Sequence, residues 1–337
     1  MNPGFLLSII TSSLLFLYSC ENPNNKHSTF NDTTSKQSVT TKEPIKPIHL
    51  PIVSIDKVEL GKQLFHDTRL SKTNKISCAS CHNLETGGVD QEKFSKGIHD
   101  RLGNINTPTV YNSSQNFKQF WDGRADNLLD QIDGPIHNPN EMGMDWNSIT
   151  SILEKDNEYQ TSFNRLYEGG ISSENIKDAI AEFEKSLVTP SRFDRFLEGD
   201  YDAISESERH GYQLFKEYGC SSCHQGKNVG GNMFQKLGIV KHYFSDTSQA
   251  DYGRFNLTKD EADMFVFKVP SLRNVALTAP YLHNGKAQTL EEVIQIMAEY
   301  QLGRIISKEE VKLIESFLQS LTGEELEPST TEILTQK

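Results

Sequence analysis

The pattern Cys-x-x-Cys-His occurs twice in this chain, in "SCASCH" (77–82) and in "GCSSCH" (219–224), and it takes four of the five cysteines. Upstream of each copy stands a near-identical pentapeptide, "GKQLF" (Gly61 to Phe65) and "GYQLF" (Gly211 to Phe215), inside an amphipathic helical pattern. The repetition constrains the fold: two copies of one module, each a helix leading through a short loop into a cysteine pair and a histidine. Hydrophobic residues make up only 36% of the 337 residues, so part of the apolar volume of the cores is expected to come from something other than side chains.

The chemistry explains the spacing. Two cysteines one helical turn apart can both add to the vinyl groups along one edge of a haem, and the adjacent histidine then turns its imidazole to the iron. The two sets are Cys78, Cys81, His82 and Cys220, Cys223, His224. Three other readings compete. A structural zinc site uses paired Cys-x-x-Cys but does not require a histidine after each pair. A thioredoxin-like pair calls for an α/β context, and alternating strand patterns are scarce here. Disulfides suit an exported chain, yet each pair is too close in sequence for an ordinary staple. The duplication and the shared upstream helix point to c-type haem.

The formal charge of −12 excludes nucleic acid as a partner class, since no Lys/Arg-rich face supplies phosphate contacts. Residues 1–20 read as an export signal, with an apolar run too short and too early for a membrane span. Cys20 closes it in "LYSC", which resembles the lipoprotein signal and marks Cys20 for lipidation, although "MNPG" lacks the usual basic residue and Tyr18 is bulky. Residues 21–50 are rich in Ser, Thr, Asn, Lys and Pro and read as a flexible tether. Beyond it, helical patterns dominate. "SENIKDAIAEFEKSL" precedes Pro190, and capping pairs are expected at Ser205/Glu208, Thr289/Glu292 and Ser307/Glu310. Residues 83–147 and 225–285 read as long loops of the kind that wrap a cofactor. A module boundary is expected near 190–204, giving domains at 51–200 and 201–337.

Seven ordered motifs carry a family resemblance: "SCASCHN", "TPTVYN", "QFWDGRADNL", "GPIHNPNEMG", "GCSSCHQG", "VPSLRNVALTAPYLHNG" and "QIMAEYQLG". Over Leu60 to Gly323 the chain resembles the bacterial di-haem cytochrome c peroxidases, the group that also contains the MauG-type enzymes. The resemblance implies a mainly α fold of two cytochrome c-like domains, each with one covalently bound c-type haem and long loops around it. It implies His99 as a second, displaceable ligand to the His82 iron. It implies Glu141 as the distal carboxylate that shuttles a proton during peroxide cleavage, with Gln131 and Pro135 lining the same pocket. Trp121 matches the tryptophan between the haems. Met297, among the three methionines that follow His224, matches the second iron's distal ligand. Asn106, Thr278 and Pro280 match the ligands of a Ca²⁺ ion between the domains. His283 matches a position near the domain interface without an assigned role.

The implied activity is reduction of hydrogen peroxide to water in the periplasm. Electrons would come from a small donor, a cytochrome c or a copper protein, to a homodimer held to the membrane by its lipid anchor only. Two alternatives are a MauG-type enzyme that oxidises a protein substrate and a non-catalytic di-haem electron carrier.

Overall fold

The computed structural model describes residues 43–324. The export signal, Cys20 and the tether up to residue 42 lie outside the described residues. The architecture is mainly helical, as expected. The first half carries α1 (Ile55–His66), α2 (Cys78–Cys81), α3 (Leu128–His137), α4 (Trp146–Leu153), α5 (Asn157–Leu166) and α6 (Ser173–Ser186). The second carries α7 (Arg192–Leu197), α8 (Glu206–Glu217), α9 (Phe255–Thr258), α10 (Leu290–Ile296) and α11 (Lys308–Ser320). The described residues include one small sheet, in which β1 (Phe234–Lys236) pairs antiparallel with β2 (Val266–Lys268). The expected capping residues act at three helix starts: Ser205, Thr289 and Ser307 accept from the N–H groups of Glu208, Glu292 and Glu310.

Two hydrophobic cores form, one per half. Leu64, Phe65, Ile149, Phe163 and Ile176 are among the residues of the first, and Phe193, Val311, Phe317 and Leu321 of the second. Each is organised by one helix crossing, α1 on α6 and α8 on α11. The repeated glycine is the reason for both. A Cβ added to Gly61 would stand 1.9 Å from the Ala179 carbonyl oxygen, and one added to Gly211 would stand 1.9 Å from that of Leu313. Only glycine lets the two backbones touch there. One turn on, Phe65 meets Phe183 edge-on at 5.1 Å between ring centroids, and Phe215 meets Phe317 at 5.0 Å. The second helix of each pair therefore belongs to the repeat as well.

The repeat also continues into the loops. In "PTVYN" and "PSLRN" the backbone N–H groups of Val110 and Leu272 bond the carbonyls of Gly88 and Val229, and Thr109 and Ser271 donate to Gly87 and Asn228. Each stretch ends in a buried left-handed asparagine, Asn112 (φ 59°) and Asn274 (φ 61°). Their N–H groups bond Leu187 and Leu321 at the ends of α6 and α11. Both side chains donate to one atom, Thr189 Oγ1, at 2.9 Å each.

Two features differ from the sequence reading. The tether was expected to reach residue 50, but residues 43–48 pack on the second half. Ile45 and Ile48 are buried, Lys46 N–H bonds Gly226, and Ile48 N–H bonds the buried Asp194, which Arg273 holds by two contacts of 2.8 and 2.7 Å. The isolated isoleucines of a polar stretch gave no periodicity to read. The expected loop 83–147 contains α3, whose start is capped by Asn127 and whose Leu128, Ile132 and Ile136 are buried at four-residue spacing. Gly134 and Pro135 punctuate that pattern in the sequence. In the structure Pro135 sits in the last turn, and Gly134 leaves room for the Phe120 ring, which would be 2.7 Å from an added Cβ.

Gly61→Ala and Gly211→Ala are each expected to lose about 1–3 kcal/mol by overpacking. Gly103→Ala, where an added Cβ meets nothing closer than 3.6 Å, should stay within about 0.5 kcal/mol. Urea unfolding of the holoprotein measures all three.

Candidate functional site

The two cysteine-histidine clusters are built alike. Cys78 and Cys81 occupy the single turn of α2, which Ser77 opens by donating its N–H to Ser80 Oγ at 3.0 Å. Cys220 begins a 3₁₀ turn after Gly219, whose φ of 89° suits glycine. The His82 N–H bonds the Cys78 carbonyl and the His224 N–H bonds that of Cys220, both at 2.9 Å. Each imidazole Nδ1 then faces a backbone carbonyl, His82 to Gly88 at 3.2 Å and His224 to Val229 at 3.4 Å. A carbonyl only accepts, so Nδ1 carries the hydrogen. Burial pushes both histidines below their usual range, His224 to about 4, so the rings are neutral and Nε2 keeps a free lone pair. A metal-ligating histidine needs this arrangement.

The competing readings of the cysteines do not fit. The thiols are not joined in disulfides. Burial pushes Cys78 up to about 12 and Cys81 and Cys220 to about 11, the opposite of what a reactive redox thiolate requires. Among the described residues no three His, Cys, Asp or Glu side chains converge as a metal-holding group. Neutral thiols beside a neutral histidine suit thioether attachment.

What surrounds the two clusters differs. The second opens into a cavity lined by Cys220, Cys223, His224 and Met297. Met233 and Met264 do not line it, and Tyr300 packs instead on Tyr243 at 5.2 Å. Met297 begins a π-helical turn, Met297–Gln301, that continues α10. Such turns frequently mark functional positions.

At the first cluster the neighbours are carboxyls. Glu141, after the end of α3, is pushed up by burial against a 2.8 Å hydrogen bond from Asn138 and the charge of Arg124. It raises Cys81 through its charge, as Asp90 does. Gln131 and Pro135 lie one turn apart on α3, half-buried on the same side. His99 is exposed on a loop with left-handed backbone at φ 57°. That loop is clamped to the Glu141 segment: Ile98 N–H bonds the Glu141 carbonyl, and a Cβ on Gly97 would stand 1.9 Å from the Asn140 carbonyl oxygen.

Trp121 lines the second cavity and donates its indole N–H to the Asn106 carbonyl at 2.9 Å. Its predecessor Phe120 packs on Gly134 of α3. Asn106, Thr278 and Pro280 are among the residues that line the same cavity. The Asn106 amide donates to the carbonyls of Glu92 and Lys93, and its Oδ1 accepts no hydrogen bond among the described residues. That free oxygen fits a hard cation. Trp146 is a core aromatic, bonded to Asp133 at 2.8 Å.

The family profile described as di-haem cytochrome c peroxidase matches residues 55–202. The cytochrome c551 peroxidase of Nitrosomonas europaea is 46% identical over 286 residues, which cover 84% of this chain and 85% of that protein. The chain belongs to the di-haem cytochrome c peroxidase family. The cytochrome c peroxidase Ccp of Escherichia coli K12 is 50% identical over 83% of this chain, although the chain spans only 61% of that protein's length. A solved MauG-like protein associated with microbial copper homeostasis shares the fold with a TM-score of 0.74 at 27% identity, covering 85% of this chain and 95% of that one. Membership implies two c-type haems, and the two neutral Cys/Cys/His sets fit them.

Several site features escaped sequence reasoning. The carbonyl partners of His82 and His224 are backbone groups and leave no residue signature. His283 proves to be buried, 2.7 Å from Asp251 and stacked on Phe267. Burial pushes the Asp251 carboxyl up, but hydrogen bonds from Ser248, His283 and Asn284 hold it at about 2. Glu184 is buried near Cys78, with no hydrogen-bond partner for its carboxyl among the described residues. Aligning "FEKSL" with "FLQSL" puts it opposite Leu318, which lines the second cavity. That alignment could have revealed it.

Burial raises Glu184 to about 8. A folded value above the unfolded one gives stability that is complete below the unfolded value of 4.5 and is lost as pH rises toward 8. Glu184→Gln should therefore gain on the wild type between about pH 5 and about pH 8, by up to about 1.4 kcal/mol per pH unit. Urea midpoints of the holoprotein across that range check it.

Proposed function

We propose that this protein reduces hydrogen peroxide to water with electrons from a small soluble donor, a cytochrome c or a copper protein. One observation carries the reading: two clusters of the same build have unequal surroundings. A thioether faces the second, and a buried carboxyl stands by the first.

His224 and Met297 would hold the iron that receives electrons, and His82 the iron that meets peroxide. Bound there, the haems supply the one-electron steps. The residues do the rest. The Met297 sulfur favours the reduced iron and raises its potential. Trp121, on the wall of the second cavity, would offer a polarisable path for the electron toward the first. Glu141 takes a proton from the near oxygen of peroxide and returns it to the far one, so that H2O2, two electrons and two protons give two water molecules. Gln131 and Pro135 border that space. His99, on its exposed loop, would act as the removable ligand of the His82 iron. Asn106, Thr278 and Pro280 would hold Ca²⁺ beside Trp121. The two haem modules at 51–200 and 201–337, the periplasmic location, the lipid anchor at Cys20 and the homodimer belong to the same proposal. No helix among the described residues is long and apolar enough to cross a membrane.

Glu141→Gln should lower peroxide turnover by about 10²-fold or more while both haem spectra persist. The carboxylate is the working form, so wild-type turnover should rise with pH through the elevated Glu141 value, a limb the variant lacks. Spectroscopic titration of the half-reduced protein, with and without Ca²⁺, should show one high-spin and one low-spin centre. Two centres that stay six-coordinate and ignore peroxide would mean an electron carrier. A high-spin first haem already present in the oxidised protein would favour the MauG-type activity.

A further inference from the structure

Lys268, at the end of β2, is 7% exposed and lines the second cavity. Its backbone N–H bonds the Trp121 carbonyl at 2.8 Å. Its ammonium has no hydrogen bond or ion pair among the described residues. The cavity lining contains no aspartate or glutamate at all, so the wall itself offers Lys268 no counter-ion. A buried ammonium left unpaired is costly, and a protein keeps one only where something supplies the opposite charge. With no carboxylate on the wall among the described residues, the opposite charge falls to the occupant of the cavity. Desolvation alone lowers the Lys268 amine to about 8, and a carboxylate in contact would restore its charge.

We propose that Lys268 pairs with a carboxylate of the cavity's occupant, which on the reading above is a propionate of the second haem, and so positions that haem and raises the potential of its iron. Reduction adds one negative charge to the centre, and a fixed cation beside it favours the reduced form. The neighbouring Trp121 then receives its electron from a centre whose potential is set next to it. The inference rests on the haem reading of this cavity, and the two can fail separately.

The test is spectroelectrochemistry of the Met-ligated centre in holoprotein whose haem content has been counted. Lys268→Met keeps the length and removes the charge. It should shift the reduction equilibrium about tenfold toward the oxidised form, which is about 59 mV for a one-electron couple. Lys268→Arg should stay within about twofold of the wild type. Resonance Raman bands of propionate bending should move in both variants, a change that packing alone would not produce. Should Lys268→Met fail to accumulate, the Lys268→Arg Raman spectrum decides, and an unshifted band overturns the proposal. A wild-type potential in Lys268→Met with two haems per chain overturns it too, while the haem reading stands. Fewer than two haems in the wild type would overturn both.

Discussion

The close approach of backbone to backbone at Gly61 and at Gly211 fixes everything built around it. With no Cβ in the way, α1 rests on the carbonyl of Ala179 and α8 on that of Leu313. Each crossing then locks through a phenylalanine pair one turn further on. The connections differ, residues 67–77 between α1 and Cys78 but only Tyr218 and Gly219 between α8 and Cys220, yet both end in a turn whose first cysteine carbonyl accepts the histidine N–H. The carbonyl that receives each histidine Nδ1 comes from a loop that is itself tied to the "PTVYN" or "PSLRN" stretch. A shared frame accounts for why the two clusters match to within a few tenths of an ångström in their hydrogen bonds.

Function depends on where the copies stop matching. The frame imposes a neutral histidine at both places, and the segments beyond it decide what faces each one. The helices α3 and α10 are themselves equivalent, since Gln119 pairs with Ala125 ahead of one as Tyr281 pairs with Ala287 ahead of the other. The copies part after them, with Glu141 beyond the end of α3 and Met297 in the π-turn that continues α10. Even within the shared helix pair the exchange of Leu318 for Glu184 puts a buried acid in one half only.

The sequence was legible where the signal is local. The cysteine-histidine spacing, the upstream glycine-phenylalanine helices and the caps at Ser205, Thr289 and Ser307 follow from contacts within a few residues. The helix α3 was hidden because Gly134 and Pro135 serve tertiary needs, space for Phe120 and a final turn, that look like loop punctuation. Ile45 and Ile48 were read as tether because their partners lie about 180 residues away in Gly226 and 146 away in Asp194. The roles of Glu141, Met297 and His99 came from resemblance. No spacing rule links them to the clusters. Lys268 could not be singled out at all, because its interest lies in the absence of carboxylates around it.

Thr189 occupies in the first copy the position that Gly323 holds in the second, two residues past the closing leucine. Its one oxygen accepts from Asn112 and from Asn274. Valine has nearly the same shape, yet it would orphan two amides at once, one in each copy. That oxygen serves both copies, so mutational freedom there is limited by whichever half is less forgiving.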